Sequence, residues 1–228
     1  MKKQFTRLAV VAAVGFLAAS GAFSASASAG APTTGTVDDP RLSTVGEVLA
    51  KTAKAEPGAE SQQRSADVEA SAAITIMLQN VNSGRCFDVV NGSTANGTDV
   101  QQYECAEVRQ QHLTLLTPEL EWTSIQFKHS GKCLDVRGAG LSNGTQLQQW
   151  DCASGIAAQQ FAFFEQSNGA LALVSRTAWE GNAFHTKCVD VRGAGIENGA
   201  KIQQWGCGTT RDDNEDVVAA QQFNAFSV

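Results

Sequence analysis

An all-β domain of three equivalent units is the fold class that this sequence predicts. The first sign is a motif written three times: RCFDVVNGSTANGTDVQQYEC at 85–105, KCLDVRGAGLSNGTQLQQWDC at 132–152 and KCVDVRGAGIENGAKIQQWGC at 187–207. Self-similarity at an interval of about fifty residues marks a repeat architecture. The second is turn chemistry, with Asn-Gly pairs at Asn91, Asn96, Asn143 and Asn198, the residues that tight hairpin turns require. The third is the lack of helical periodicity after residue 73, where short apolar runs alternate with turn residues.

From the N-terminus, Lys2, Lys3 and Arg7 precede an apolar run from Leu8 to Ala19 and the small-residue stretch SGAFSASASAG. This layout predicts a secretory signal peptide over residues 1–29, cleaved after Ala27 or Ala29, and hence a secreted, extracellular protein. The run is too short to span a bilayer, and no later stretch is apolar enough, so no membrane insertion is expected. Removing residues 1–29 takes away three positive charges and no negative ones, moving the formal charge from −6 to −9. An acidic chain of this kind is a poor partner for nucleic acid or anionic membranes. Residues 30–73 hold no Cys and no aromatic residue and are rich in Ala, Ser, Thr and Glu. They are read as a largely disordered linker, stalk or propeptide. A short transient helix is expected there, because Val45, Val48, Leu49 and Thr52 have helical spacing after Asp39-Pro40.

The folded part is expected over residues 74–228, enough for one core. The runs Ile74 to Leu78, Ile125 to Lys128 and Ala170 to Val174 come before each Cys copy and read as strands. Within the middle copy, strand alternation puts Cys133 and Asp135 on one face with Gln148, Trp150 and Cys152, while Leu134 and Val136 turn to the core. Two insertions, Arg176 to Phe184 and Gly208 to Asp216, are expected as solvent-facing loops, with Trp179 on the first a possible ligand contact.

All six cysteines fall inside the copies, nineteen residues apart in each. With a signal peptide this spacing implies disulfides, and although six cysteines allow fifteen pairings, repeat symmetry selects Cys86–Cys105, Cys133–Cys152 and Cys188–Cys207. If those cysteines are directly opposed in each hairpin, Asp88 lies opposite Tyr103, Asp135 opposite Trp150 and Asp190 opposite Trp205. A metal site is not expected, because Cys-x-x-Cys pairs are missing and His185 near Cys188 reads as a surface residue.

Each copy therefore offers an aromatic ring, a carboxylate and an amide together. A ring is a flat apolar platform, a carboxylate accepts from two neighbouring hydroxyls and an amide gives or takes one more, which suits a pyranose. At these residues the chain resembles the ricin-type β-trefoil lectins, also classed as family 13 carbohydrate-binding modules. The resemblance rests on Cys-Leu-Asp-Val, the Gln-x-Trp-x-Cys strand and the following Gln159-Gln160-Phe161, and it covers roughly residues 74–228. It implies a β-trefoil of three pseudo-symmetric four-stranded lobes, each with a shallow carbohydrate-binding site. The implied contacts are Asp88, Gln101, Tyr103 and Gln110; Asp135, Gln148 and Trp150; Asp190, Gln203 and Trp205.

The family's closing Asn-Gln-x-Trp is altered in all three places, to Gln110-Gln111-His112-Leu113, Ala158-Gln159-Gln160-Phe161 and Ala220-Gln221-Gln222-Phe223. Leu113, Phe161 and Phe223 are still large and apolar enough to pack a core, but Ala158 and Ala220 cannot hydrogen-bond a sugar. The three sites are expected to be comparable, each imperfect. No catalytic motif is present: there is no G-x-S-x-G, P-loop or H-E-x-x-H, and Gly138-Ala139-Gly140 and Gly193-Ala194-Gly195 lack the third Gly and the helix of a dinucleotide fingerprint. Threefold symmetry also keeps Asp88, Asp135 and Asp190 too far apart for glycoside hydrolysis. The expected function is that of a secreted, non-catalytic lectin without cofactor, its partner a glycan containing galactose or xylose. Two rivals stand beside it: a trefoil with degenerate sugar sites that binds a separate protein, as subunit or inhibitor, and a hydrolase of unrecognised type.

Overall fold

Each Cys copy folds as a hairpin with one flanking strand on either side, so a four-stranded unit occurs three times. The structure, a computed structural model, describes residues 73–117, 120–179, 186–208 and 216–228. The expected signal peptide, the 30–72 segment with its helix, His185 and the tips of both insertions lie outside the described residues. The first lobe holds β1 (Ile74–Asn80), β2 (Cys86–Val89), β3 (Val100–Tyr103) and β4 (Leu113–Leu115). The second holds β5 (Ile125–Phe127), β6 (Cys133–Val136), β7 (Thr145–Trp150) and β8 (Phe161–Glu165). The third holds β9 (Leu171–Ser175), β10 (Lys187–Val191), β11 (Ile202–Gly206) and β12 (Gln222–Ser227).

The six flanking strands close a barrel. Strand β1 pairs with β4 and β12, β4 with β5, β8 with β9, and β9 with β12, while the bridge Thr123↔Phe161 joins the start of β5 to β8. Closure leaves no open edge for another chain to extend. The hairpins β2–β3, β6–β7 and β10–β11 meet beyond one end of the barrel through Gln203↔Gln146, Asp99↔Gln148 and Gln101↔Lys201. This is the β-trefoil arrangement that the family resemblance implies. Among the described residues, helix is limited to single 3-10 turns and to α1 (Arg176–Trp179).

Alternation sorts the hairpin side chains as expected. Phe87, Leu134 and Val189 after each first Cys, and Val89, Val136 and Val191 after each Asp, are buried in one core with Leu113, Phe161 and Phe223 from the closing segments. Phe223 meets Phe87 edge-on, with ring centroids 5.1 Å apart.

The expected register is wrong by two residues. Cys133 lies opposite Trp150, not Cys152, and Asp135 lies opposite Gln148; the other hairpins match, with Asp88↔Gln101 and Asp190↔Gln203. The second Cys of each copy sits just past its strand, where the chain bends back, so each bridge runs diagonally with a Cα–Cα distance of 5.0 Å, well inside the range a disulfide spans. The three pairings themselves are those selected by symmetry. Replacing Cys133 and Cys152 together by Ala should cost roughly 3 kcal/mol by releasing a loop of about twenty residues in the unfolded chain. Urea unfolding of the variant beside the parent measures this as a lower midpoint, with a steeper slope because the released loop exposes more surface on unfolding.

Candidate functional site

The hairpin places Asp135 and Gln148 directly across from each other, and their side chains bond: the Gln148 amide donates to Asp135 Oδ1 at 2.8 Å. The other carboxylate oxygen, Oδ2, accepts from the Gln159 amide at 3.2 Å. The same pair of bonds recurs in the first lobe, from Gln101 at 3.0 Å and Gln111 at 3.2 Å to Asp88. In the third lobe Gln203 donates at 2.8 Å and Gln221 at 3.1 Å to Asp190. Each carboxylate is thus aimed by one amide from its hairpin and one from the 3-10 turn that leads into the lobe's last strand.

Gln111, Gln159 and Gln221 are the residues of the candidate site that sequence reasoning missed. They stand in the closing segment of every lobe, 23, 24 and 31 residues after the Asp, but read as neighbours of altered positions rather than as holders of the acid. Their Oε1 atoms are equally occupied, accepting from the backbone N–H of Ala106, Ala153 and Gly208. Such fully bonded amides have one orientation, which fixes the carboxylate in turn.

Burial and exposure are divided sharply across each site. Asp88, Asp135 and Asp190 are 5–8 % exposed, whereas Tyr103, Trp150 and Trp205 are 44–45 % exposed. The rings are therefore open platforms with the acids at their foot. Each ring lies diagonal to its Asp on the same face of the hairpin, since it pairs with the first Cys. Trp150 rests on the Asn-Gly turn of the preceding lobe: a Cβ on Gly97, whose φ is +79°, would come within 3.6 Å of the indole. Trp205 rests likewise on Gly144. The Asn of each turn reaches the next lobe, Asn96 to the Asp151 carboxylate, Asn143 to the Gly206 N–H and Asn198 to the Glu104 N–H.

The second Gln of each Gln-Gln pair clamps lobe to lobe. Gln102, Gln149 and Gln204 are fully buried and donate to carbonyls of the Gly-rich loop in the neighbouring lobe. Arg137 and Arg192 add a further brace, each donating through Nε to Oε1 of the site amide, Gln148 at 2.8 Å and Gln203 at 2.9 Å.

In the second lobe the walls form an open cleft of about 730 Å³, lined by Asp135, Arg137, Gln148, Trp150, Ile156 and Ala158 among others. Ala158 and Ala220 are buried beside their acids, so no side chain there replaces the family's Asn. Gln110 lies on the 3-10 turn of the first lobe with its amide against Gly92. Trp179 is not on an open loop: it lies in α1 and packs against Trp122 and Phe164. Among the described residues no group of three His, Cys, Asp or Glu is placed to hold a metal ion.

Burial pushes Asp135 above the usual carboxylate range, against the opposing hydrogen bonds of Gln148 and Gln159 and the charge of Arg137. Burial does the same to Asp190, against Gln203 and Gln221. Each carboxylate oxygen has two acceptor positions and spends one on an amide. One acceptor position on each oxygen is therefore left over, beside an exposed ring.

A family model described as "Ricin-type beta-trefoil lectin domain-like" matches residues 44–103, 61–150 and 110–205. The chain belongs to this ricin-type β-trefoil lectin-like family. Among solved structures it is similar to a designed threefold-symmetric protein, ThreeFoil, at 28 % identity and a TM-score of 0.57, covering 68 % of this chain and 99 % of that one. It is similar to part of an exo-β-1,3-galactanase from Clostridium thermocellum, at 26 % identity and a TM-score of 0.57, covering 68 % of this chain but 30 % of the galactanase. The Rhizoctonia solani agglutinin shares the fold at 18 % identity and a TM-score of 0.52, covering 72 % of this chain and 100 % of the agglutinin. A search of curated proteins finds no match. Within the family frame, this ricin-type domain keeps the acid, the hairpin amide and the ring in every lobe, and changes the segment that follows them.

Proposed function

We propose that this chain is a secreted, non-catalytic lectin that adheres to a glycan through up to three shallow sites. The carrying observation is that a two-amide grip on a buried Asp beside an open ring occurs in all three lobes. The ring takes the C–H face of a pyranose, the remaining acceptors of the Asp take two vicinal hydroxyls, and the hairpin amide lies within reach of a third. Each site alone is expected to bind a monosaccharide with Kd on the order of millimolar, about −4 kcal/mol. Three sites on one polysaccharide raise the apparent affinity by about 10² to 10⁴. The likeness to part of a galactanase supports galactose-containing glycans first, with xylose-containing ones beside them.

The test is a glycan array probed with the whole secreted chain. Binding to a related set of glycans, competed by millimolar monosaccharide, is the expected result. A blank array at high protein concentration would favour the protein-binding reading, and turnover on a polysaccharide panel would favour a hydrolase.

Acidification offers a second check. Because burial raises the pKa of Asp135 and Asp190, both take up a proton at higher pH than an ordinary Asp. Protonation turns one acceptor into a donor, so binding at the second and third lobes should fade as pH falls through those raised values. Stability moves the opposite way: in the interval between the ordinary and the raised pKa the folded form binds more protons than the unfolded one, so these two groups favour folding as pH falls. Glycan binding and circular dichroism followed over the same pH series should therefore separate, with binding lost while the fold persists.

A further inference from the structure

The three ledges differ in charge, and the difference lies in two cations at each junction between lobes. Between the first and second lobes, Lys132 is ion-paired with Asp151, and Arg137 with Asp99 at 2.6 Å. Burial raises the Asp99 carboxyl, but the hydrogen bonds and charges of Lys201 and Arg137 together outweigh it and hold the group below the usual range. Both cations there have an acid partner, with Asp99 shared between Arg137 and Lys201.

Between the second and third lobes the matching residues are Lys187 and Arg192, but their acids are gone. Gly206 stands where Asp151 stood, and Gln146 stands where Asp99 stood. Gln146 turns inward to the carbonyls of Val100, Leu147 and Ile202. Lys187 is buried and its ammonium donates to Asn143 Oδ1, the side-chain amide oxygen, at 2.7 Å. Arg192 is exposed and bonds the Gln203 amide oxygen and the Gly144 carbonyl. All of these acceptors are neutral, and among the described residues neither cation is ion-paired. Two uncompensated positive charges therefore flank the Asn143-Gly144 turn on which Trp205 rests. The first lobe has no such feature, since Val90 replaces the Arg and Glu104 occupies the place of Gly206.

We propose that the third ledge takes an acidic sugar, a pyranose whose hydroxyls bind Asp190 and whose carboxylate or sulfate group binds the Arg192 guanidinium beside Lys187. The proposal rests on the reading of the ledges as sugar sites and adds the substrate class of one of them. A planar guanidinium matches a carboxylate or sulfate with two parallel hydrogen bonds. The net negative charge of the whole chain does not forbid this, because at physiological salt a field from distant surface charges fades beyond about 8 Å. At the first and second ledges Glu104, Asp99 and Asp151 oppose an anion, so the preference should differ within one molecule.

The test uses ¹⁵N-labelled whole chain and the indole N–H signals of Trp150 and Trp205, which report on the second and third lobes. Galactose is titrated beside galacturonate and galactose 6-sulfate, and xylose beside glucuronate. Neutral sugars should move both signals. An acidic sugar should move Trp205 at a concentration about three- to tenfold lower than its neutral counterpart, and Trp150 only at a higher one. Gly206→Asp returns an acid opposite Lys187 without touching Arg192, Gln203 or Asp190. It fits, since a Cβ at Gly206 would lie 3.7 Å from Asn143 Oδ1 and 4.0 Å from Lys187 Nζ. This variant should lose the acidic preference at Trp205 and keep neutral binding, while Gly206→Asn, of equal size and no charge, should keep the preference. A response to the carboxylate alone or to the sulfate alone supports the proposal and identifies the group. Neutral sugars that bind with no acidic preference at Trp205 overturn it and leave the lectin reading standing; silence of both signals to every sugar overturns both.

Discussion

Replacing Asp88, Asp135 and Asp190 together by Asn is expected to lower adhesion to an immobilised glycan by more than about 100-fold while the domain stays folded. Each of these carboxylates receives two amide N–H groups, one on each oxygen. Asn has one oxygen, so its own NH₂ would face the NH₂ of Gln111, Gln159 or Gln221. Those amides cannot simply turn over, because their oxygens already hold the backbone N–H of Ala106, Ala153 and Gly208. A hydrogen bond to a charged group is worth about 1.5–3 kcal/mol, so each site loses roughly ten- to 100-fold, and the gain from joint engagement falls with it. Each pair of facing amide donors should cost about 1–3 kcal/mol of stability, offset in part at Asp135 and Asp190 because burial already disfavours their ionised form. A single Asp→Asn change should leave adhesion weakened but measurable. Surface plasmon resonance on glycan, with far-ultraviolet circular dichroism as the check on folding, decides the matter.

Phe223→Ala should destabilise the domain by about 3–5 kcal/mol, enough to threaten folding altogether. Phe223 is fully buried on β12, the strand that closes the barrel by pairing with both β1 and β9. Its ring meets Phe87 edge-on, at an interplanar angle of 87°, and Phe87 belongs to the first hairpin. Truncation removes the transfer free energy of the ring and leaves a cavity where barrel and hairpin meet, and a close-packed interior closes over such a void only in part. The same position in the first lobe holds Leu113, also fully buried. Phe223→Leu should therefore cost less than Phe223→Ala by a wide margin. Urea midpoints of the two variants give the comparison, and a loss below about 1 kcal/mol for Phe223→Ala would show that the three lobes do not share one core.

Much of the fold was legible because the chain states its unit three times. A repeated motif needs only local rules, and alternation alone sent Leu134, Val136 and their counterparts inward and kept Asp135, Gln148 and Trp150 on one face. What escaped was whatever depends on contact between distant segments. The register failed because the second Cys of each copy was treated as a strand residue, when it lies beyond the strand and reaches back along a diagonal. Gln159 could be seen to repeat, but not to touch Asp135, because nothing in the spacing says that the 3-10 turn folds under the hairpin. The Asn-Gly turns read correctly as turns; that those at Gly97 and Gly144 support the ring of the next lobe is a property of how lobes pack. Trp179 looked like an open loop residue and is instead half-buried against Trp122 and Phe164, a partnership that no periodicity announces.

The most direct measurement is a crystal structure of the chain soaked with the monosaccharide that best competes on the array. Two vicinal hydroxyls should lie within hydrogen-bonding distance of the Asp135 or Asp190 carboxylate, with the sugar's C–H face against Trp150 or Trp205. A sugar bound elsewhere, for example on Trp122 and Trp179, with all three ledges left empty, would contradict the assignment.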